Sequence, residues 1–315
     1  MKKVFIDGSS GTTGLQIHER LKARGDLEII GIPYELRHDP SVRKEAMKQA
    51  DVVFLCLPDA AAVEAAVLAE ESNAVVIDTS TAHRTDPNWT YGLAELAGQR
   101  AKIQSSKRIA NPGCHATGFI TLVQPLVDAG ILDSDAALDC FSLTGYSGGG
   151  KKMIAEYEAE DRSALLKAPR MYALAQKHKH LKEMKQIAGL TKEPLFCPIV
   201  ADFYSGMETV VTLHKEQLHG TMEDIVHCYE ALYTTPLVHF AAEADENGFL
   251  SAAAYSGRDD LEITVSGNDE RIILTSRFDN LGKGACGAAI QNMNLVLGLE
   301  EYTGLVWKGN GHEMD

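Results

Sequence analysis

The chain has 315 residues, 45% of them hydrophobic and 23% charged, which are ordinary values for a soluble globular protein with room for two domains. A net charge of -14 opposes attraction to nucleic acid or to an anionic membrane surface, so we expect neither as a partner. No apolar run approaches the ~20 residues of a membrane span, and the first residues lack the apolar stretch of a signal peptide, which predicts a cytoplasmic protein.

The first part of the chain alternates short apolar strands with helical segments. Strands are predicted at residues 3–8, 27–32, 51–58 and 74–78. Helices are predicted at residues 15–22 and 60–70, with a partly helical stretch at 37–48. Strands that alternate with helices imply right-handed crossovers, so this part is expected to form a parallel, doubly wound α/β sheet of the Rossmann type.

Beyond Cys114 the pattern becomes α+β, with adjacent strands that favour a mixed or antiparallel sheet. The predicted strands are 138–145, 208–214 and a hairpin of 261–265 with 271–275. The predicted helices are 151–166, 180–187 and 221–233, and a final helical stretch at 284–299 is expected to pack on the first domain. We therefore expect one domain from residues 1–113 and 285–315, and a second from 114–284.

A glycine-rich turn follows the first strand and opens the first helix, which is the context of a dinucleotide-binding loop. Glycines allow the tight turn and let backbone N–H groups approach a pyrophosphate at the helix N-terminus. A plain strand-to-helix turn is the alternative. The residues predicted to bind the cofactor here are Gly8, Ser10, Gly11, Thr12, Thr13 and Gly14.

The residues after the second strand indicate which nicotinamide cofactor binds. An acid there holds the ribose hydroxyls of NAD, whereas an arginine accepts the 2′-phosphate of NADP. Glu35 is outweighed by Arg37, His38 and Arg43, so NADP(H) is predicted, with Arg37 at the 2′-phosphate. The alternative is that Arg37 is a solvated surface charge.

Cys114 follows Asn-Pro-Gly and precedes an apolar helical run, which places it at the first turn of a helix. The helix dipole and the backbone N–H groups there favour a thiolate, so Cys114 is the candidate nucleophile; a buried structural cysteine is the alternative. The six cysteines form no Cys-x-x-Cys pair, so we expect neither a zinc ribbon nor a dithiol motif, and a disulfide framework is equally unexpected without a secretion signal.

Residues 177–183 bring His178, His180 and Glu183 close to a helix start. Histidine titrates near neutral pH, so these side chains suit proton transfer to a thiol or to a tetrahedral oxyanion. Residues at i and i+2 do not share a helix face and no third ligand set accompanies them, so no metal site is predicted. A solvated basic helix is the alternative.

Two further segments offer groups that bind anions. The glycine-rich loop 145–152 contains Ser147 and Lys151, which suit a phosphate or a carboxylate, although a simple turn has the same composition. Residues 78–84 follow the fourth strand, where Arg84 can pair with an anion. A thiolate, a histidine, a nicotinamide site and these anion-binding groups together predict the reduction of an acyl phosphate to an aldehyde.

The chain resembles the N-acetyl-γ-glutamyl-phosphate reductase family of arginine biosynthesis, in its shorter subclass, over nearly its whole length. The motifs that carry the resemblance are residues 8–17, 111–118, 145–151, 177–180, 280–285 and 291–295. The resemblance implies reversible NADPH-dependent reduction of N-acetyl-γ-glutamyl phosphate to N-acetylglutamate 5-semialdehyde and phosphate. It also implies a Rossmann-like domain completed by the C-terminal helix, and an α+β catalytic and oligomerisation domain in a homodimer or homotetramer.

The resemblance assigns roles to individual residues of this chain. Cys114 matches the nucleophile and His180 the favoured acid/base, with His178 and Glu183 in the same motif. Asn292 lies in the segment expected near the cofactor. On this basis we add Ser80, Gly149 and Asn292 to the cofactor-binding residues, and predict that the substrate contacts Arg84, Asn111, Ser147 and Lys151.

The chain departs from the wider family at two positions. His115 stands where the longer subclass often has tyrosine, and Lys182 replaces a common proline. Two other functions remain open on the sequence. One is a reductase of aspartyl phosphate or another phosphorylating aldehyde dehydrogenase, and the other is a regulatory protein that senses NADP without turnover.

Overall fold

The structure is a computed structural model that describes residues 1–9 and 11–308, apart from the side chain of Thr12. It divides into two compact units. The first unit comprises Met1–Ala94, Gly98–Pro112 and Ala285–Leu305. The second comprises Glu95–Ala97, Gly113–Gly284 and, within the described residues, 306–308.

The secondary structure follows in chain order. The strands are β1 (Lys2–Asp7), β2 (Leu27–Ile30), β3 (Val52–Leu55), β4 (Val75–Asp78), β5 (Thr90–Tyr91), β6 (Arg108–Ala110), β7 (Asp139–Gly145), β8 (Arg170–Met171), β9 (Leu195–Ala201), β10 (Met207–His214), β11 (Thr234–Thr235), β12 (Val238–Phe240), β13 (Leu261–Asn268) and β14 (Arg271–Phe278). The helices are α1 (Thr12–Lys22), α2 (Pro40–Gln49), α3 (Asp59–Leu68), α4 (Gln99–Ser105), α5 (Cys114–Asp128), α6 (Gly150–Glu158), α7 (His180–Ile187), α8 (Met222–Leu232) and α9 (Gly287–Leu297).

The first unit has a six-stranded sheet of order β2-β1-β3-β4-β6-β5 in which every pair is parallel. All residues of β3 and β4 are buried, which is why these strands are continuous apolar runs in the sequence. From β1 the chain continues to β2 on one side, and then crosses to β3 on the other side of β1. The carboxyl ends of β1 and β3 therefore form the crevice where such sheets bind ligands. This confirms the predicted Rossmann-like sheet.

The second unit has an eight-stranded mixed sheet of order β11-β12-β13-β14-β10-β7-β9-β8. The pairs β7–β9 and β12–β13 are parallel and the others are antiparallel, including the predicted hairpin of β13 with β14. Helix α5 packs on β10 and β14, and helices α7 and α8 pack on α5. A mixed sheet covered by helices was the prediction, and it is confirmed.

Several predicted element bounds are wrong. The helix predicted at residues 151–166 ends at Glu158, and the chain then turns so that Arg162 pairs with Asp202 at 2.7 Å. The final helix is preceded by a π-helical turn, Gly282–Cys286. Residues 306–308, assigned to the first domain from the sequence, group with the second unit. There the backbone N–H of Asp259 donates to the Val306 carbonyl, and the Val306 N–H donates to the Asp259 carboxylate. No helix in the described part of the chain has the length and apolarity to cross a membrane.

Candidate active site

Cys114 is the first residue of α5, as its position after Asn-Pro-Gly predicted. Gly113 caps this helix with extended backbone and without a side-chain hydrogen bond, so the positive end of the helix dipole acts directly on Cys114. The cysteine is half-buried. A Cβ added to Gly284 would lie 2.9 Å from the Cβ of Cys114, so only glycine lets that backbone approach Cys114 so closely.

Glu183 binds the main chain at the start of α5. Its Oε1 accepts a hydrogen bond of 2.8 Å from the backbone N–H of Gly113, and the carboxylate is buried. The acid of the predicted histidine motif therefore holds the main chain one residue before Cys114.

The two predicted histidines, His178 and His180, lie close to a third histidine, His115, for which the sequence predicted no catalytic role. His180 begins α7 and is buried, and the Nδ1 of His178 accepts a hydrogen bond of 3.2 Å from the backbone N–H of His180. The ring of His115 lies 5.7 Å from that of His180 and 5.8 Å from that of His178. The residue after the nucleophile thus belongs to the same cluster as the candidate acid/base.

His115 is held in a hydrogen-bonded pair with Tyr172. The Nε2 of His115 lies 2.7 Å from the hydroxyl of Tyr172, and its Nδ1 lies 2.7 Å from Ser142 Oγ. Burial, and secondarily His178, lowers the pKa of His115 to about 3, so its ring is neutral at neutral pH. Tyr172 was missed from the sequence because no local spacing relates it to residue 115.

The glycine-rich loop of the second unit is fixed by Asn280. Its Oδ1 accepts a hydrogen bond from the N–H of Gly206 at 3.0 Å, and its Nδ2 donates to Ser147 Oγ at 3.0 Å. Ser147 is buried, whereas Gly149 is the exposed N-cap of α6 and Lys151 is exposed in its first turn. Within this loop the exposed anion-binding groups are therefore those at the start of α6.

The glycine turn after β1 has the close approaches that require glycine. A Cβ on Gly8 would lie 2.3 Å from the carbonyl oxygen of Cys56, and one on Gly14 would lie 2.4 Å from that of Gly8. Gly11 caps α1 and Thr13 lies in its first turn. Ser10 lies outside the described residues, as does the side chain of Thr12.

A cavity of about 660 Å³ lies beside this turn in the first unit. Arg37, His38 and Arg43 line it, as predicted for a phosphate-binding end. Arg43, however, is bound to buried Asp7 at 2.6 Å, so its charge is already compensated. Burial raises the pKa of Asp7 although Arg43 acts to lower it.

Arg37 also lines the cavity and is partly exposed. Its guanidinium lies 3.7 Å from the centre of the Tyr34 ring and donates a hydrogen bond of 2.7 Å to the Tyr34 carbonyl. Stacking on the ring orients the planar guanidinium beside the cavity. Arg37 therefore suits an anion better than Arg43 does.

The polar side chains of the segment after β4 form hydrogen bonds mainly with Asp78 and with main-chain carbonyl groups. Ser80 donates from its hydroxyl to buried Asp78 at 2.7 Å, and His83 Nδ1 lies 2.6 Å from the same carboxylate. Arg84 is buried and donates to the carbonyl oxygens of Asn111 and Thr79 at 2.9 and 3.0 Å. These contacts orient the segment next to Asn111, three residues before the nucleophile.

Asn111 and Asn292 form a buried amide pair in the first unit. Asn292 Nδ2 donates to the carbonyl oxygen of Gly92 at 2.9 Å and to Asn111 Oδ1 at 3.2 Å, and Asn111 Nδ2 donates to the carbonyl oxygen of Ala285. Asn292 Oδ1 is buried without a hydrogen-bond donor among the described residues. Grouped residues that could hold a metal ion are absent from the described part of the chain.

Two family models match most of the chain. The model described as semialdehyde dehydrogenase, NAD binding domain, matches residues 3–105, and the model described as semialdehyde dehydrogenase, dimerisation domain, matches residues 114–280. The chain is therefore an oxidoreductase of the semialdehyde dehydrogenase family.

Curated relatives define the group within that family. The chain is 44% identical to N-acetyl-gamma-glutamyl-phosphate reductase of Brucella anthropi, covering 94% of this chain and 98% of that relative. It is 43% identical to N-acetyl-gamma-glutamyl-phosphate reductase 2 of Pseudomonas putida, covering 94% of this chain and 96% of the relative. The chain belongs to the N-acetyl-γ-glutamyl-phosphate reductases, and the resemblance seen in its motifs is confirmed.

Solved structures agree on the fold. Aspartate semialdehyde dehydrogenase II of Vibrio cholerae superimposes with a TM-score of 0.71 at 17% identity, covering 94% of this chain and 98% of that chain. The enzyme of Candida albicans, solved with NADP, gives a TM-score of 0.65 at 15% identity, covering 94% and 99%. At such identities the likeness concerns the fold alone.

Proposed function

We propose that this protein catalyses the NADPH-dependent reduction of N-acetyl-γ-glutamyl phosphate to N-acetyl-L-glutamate 5-semialdehyde and phosphate, in the cytoplasm, as a step of arginine biosynthesis. The observation that carries the proposal is Cys114 at the start of α5, with the backbone before it held by Glu183 and with His115, His178 and His180 clustered beside it. The names of the relatives supply the substrate.

The first unit fits a nicotinamide dinucleotide. The turn at Gly8 and Gly14 is too tight for side chains, so its backbone is accessible to a pyrophosphate at the N-terminus of α1. Arg37, which lines the cavity and stacks on Tyr34, suits the 2′-phosphate. When bound, the cofactor supplies a hydride to the acyl carbon.

The remaining chemistry falls to the residues of this chain. The sulfur of Cys114 attacks the acyl carbon, a C–S bond forms, and the C–O bond to phosphate breaks, which leaves a thioester on Cys114. After reduction, the C–S bond breaks, the electron pair returns to sulfur and the aldehyde leaves. His180 donates a proton to the carbonyl oxygen as its negative charge develops, and recovers it when the C–S bond breaks.

Substrate choice tests the proposal directly. The purified protein is given NADP, phosphate and either N-acetylglutamate 5-semialdehyde or aspartate semialdehyde, and NADPH formation is followed at 340 nm as the reverse reaction. We expect clear preference, in kcat/KM, for the acetylated compound. Preference for aspartate semialdehyde would assign the protein to the other acyl phosphate, and the absence of phosphate-dependent turnover with either would reject the reaction.

The 2′-phosphate assignment predicts a cofactor-specific defect in Arg37→Ala. Because a hydrogen bond between charged groups contributes about 1.5–3 kcal/mol, NADPH affinity should fall roughly 10- to 100-fold. NADH affinity should stay nearly constant, since NADH lacks that phosphate. Fluorescence titration of both cofactors measures the two affinities.

Lys44→Ala is the matched control, because it removes a positive charge from α2 at a residue that does not line the cavity. It should weaken neither cofactor. Equal weakening of NADPH and NADH in Arg37→Ala would contradict the assignment of Arg37 to the 2′-phosphate.

The second unit also has a surface suited to a second copy of the chain. The sheet buries the side chains of one face, including Val211 and Leu274. The open face, defined by Phe141, Leu143, Ile199, Val210 and Ile273, leaves Phe141 41% and Ile273 42% exposed. These apolar side chains share the face with Glu208 and Thr212, and the region is matched by a dimerisation model. Together they support a homodimer, or a homotetramer built from such dimers.

A charge placed on the open face should therefore dissociate the oligomer. Phe141→Glu would bury a carboxylate in the interface, so we expect a monomer in sedimentation velocity where the wild type sediments as a dimer or tetramer. Val67→Glu, at an exposed valine of α3, is the control and should keep the wild-type state. A wild type that is monomeric would remove the basis for this surface.

A further inference from the structure

A chain of hydrogen bonds runs from the core of the second unit to the neighbourhood of Cys114. Thr209 Oγ1 lies 2.9 Å from Ser142 Oγ, and Ser142 Oγ lies 2.7 Å from His115 Nδ1. On the other side of the ring, His115 Nε2 lies 2.7 Å from Tyr172 Oη. Four side chains are thus connected in series through three short contacts.

The protons in this chain can be counted. Each of the three contacts uses one proton. The three hydroxyl groups carry one proton each, and the neutral ring of His115 carries one N–H. Four protons serve three contacts, so one proton remains. It lies on Thr209 at the inner end, on Ser142 if that hydroxyl accepts from both neighbours, or on Tyr172 at the outer end.

Burial decides among these positions. Thr209 and Ser142 are both 0% exposed, and within residues 1–9 and 11–308 the Thr209 hydroxyl has Ser142 as its hydrogen-bond partner. A proton left over on Thr209 or on Ser142 would be a buried donor without an acceptor, which is destabilising. Tyr172 is only partly buried. The favourable arrangement therefore has Thr209 donating to Ser142, Ser142 donating to His115 Nδ1, and His115 Nε2–H donating to Tyr172.

This arrangement leaves the Tyr172 O–H bond directed away from the chain. We propose that Tyr172 donates this proton in a hydrogen bond to the thiolate of Cys114, and that His115 and Ser142 fix its direction. The inference rests on the proposed function of Cys114 as the nucleophile. It adds to that function a residue that stabilises the thiolate before substrate binds.

The surroundings are consistent with a donor at this position. Burial, with a further contribution from the charge of nearby Cys114, raises the pKa of Tyr172, so the hydroxyl stays protonated while the thiol ionises. The ring of His178 lies 6.1 Å from that of Tyr172, His180 lies beside His115 in the cluster, and Glu183 accepts from the N–H of Gly113. Lys283, one residue before Gly284, is paired with Glu95 at 2.8 Å.

The pH dependence of Cys114 alkylation tests the proposal. Full-length protein is treated with iodoacetamide between pH 5 and pH 10, and labelling of the Cys114 peptide is followed by mass spectrometry. In Tyr172→Phe the thiolate loses a charge-assisted hydrogen bond, so the apparent pKa of the thiol should rise by about one unit. Labelling well below that pKa should then be about tenfold slower, while the plateau rate at high pH stays unchanged.

Two further variants separate this role from a purely structural one. Tyr233→Phe removes another buried hydroxyl that contacts α5, since Tyr233 donates to the carbonyl oxygen of Thr121 at 2.7 Å. This variant should leave the pH dependence of Cys114 alkylation unchanged. Ser142→Ala removes the donor to His115 Nδ1 and lets the ring change its tautomer, so it should shift the profile in the same direction as Tyr172→Phe. It also provides the test if Tyr172→Phe does not fold.

An alkylation profile of Tyr172→Phe that coincides with the wild type would overturn the proposal. So would equal shifts in Tyr172→Phe and Tyr233→Phe, because both would then report only a loosened helix. The assay needs no turnover, so it fails independently of the proposed reaction. A wild type without phosphate-dependent oxidation of the semialdehyde would reject the reaction and leave the alkylation result to be judged separately.

Discussion

The Cys114→Ser variant is expected to lose nearly all activity, with kcat falling on the order of 10⁴-fold or more, as in other enzymes whose nucleophile is removed. A serine hydroxyl at the start of α5 remains protonated at neutral pH, because the helix dipole and the surrounding donors favour a thiolate but cannot ionise an alcohol. Cofactor binding should persist, since Cys114 is not part of the nucleotide cavity. Steady-state rates and NADPH titration of the same preparation measure both properties.

Cys228→Ser is the matched control for this variant. Cys228, in α8, is also half-buried, and its thiol donates to the carbonyl oxygen of Pro125 in α5, the helix that Cys114 begins. Burial raises the pKa of Cys228, so it carries no thiolate to lose. We expect full activity from Cys228→Ser, and more than one per cent residual activity in Cys114→Ser would contradict the thioester route.

The second large effect is expected for His180→Asn, which should slow turnover by about 100- to 10,000-fold through loss of acid–base catalysis. Asparagine keeps a polar group at the start of α7 but cannot exchange a proton near neutral pH. The kcat of the variant should lose its dependence on the histidine ionisation, so its pH profile should flatten below pH 7. Steady-state rates between pH 5.5 and 9 record both changes.

His227→Asn serves as the control, because His227 is an exposed histidine of α8 in the same unit. It should retain the wild-type rate and profile. An unchanged rate in His180→Asn would reject His180 as the acid/base. A large loss in His178→Asn would then assign the proton transfer to His178, whose ring lies 4.7 Å from that of His180.

The fold was predictable where the sequence pattern is local. Strands β3 and β4 are buried on both faces, so each is a short apolar run that ends in a polar or breaking residue. Strand β9 was missed because Pro198 interrupts it, and a proline in a candidate strand argues against that assignment. Tertiary pairing with β7 overrides this local signal.

The helix predicted at residues 151–166 is too long, because its acidic C-terminal part is compatible with a helix. In the structure Arg162 forms an ion pair with Asp202, and the helix ends at Glu158.

The site was predictable as a set of residue types and much less so as a set of contacts. Cys114 and the two histidines were found because their motifs are short in sequence. The bond from Gly113 to Glu183 spans 70 residues, and the contact of His115 with Tyr172 spans 57. Such pairs are created by packing, and a single sequence contains no periodicity that reveals them. For the same reason the sequence does not distinguish Arg43, which is paired with Asp7, from Arg37 as a candidate for binding the 2′-phosphate.

The buried ring of His115 also links the stability of the protein to acidity. The unfolded chain takes up a proton on this histidine near pH 6.5, whereas in the folded state its pKa is about 3. Its neutral form therefore contributes fully above pH 6.5, and between pH 6.5 and 3 the free energy of unfolding falls by about 1.4 kcal/mol per pH unit from this group alone. Because the same ring is adjacent to the nucleophile, mild acid acts on the catalytic end of α5 as well as on the global equilibrium.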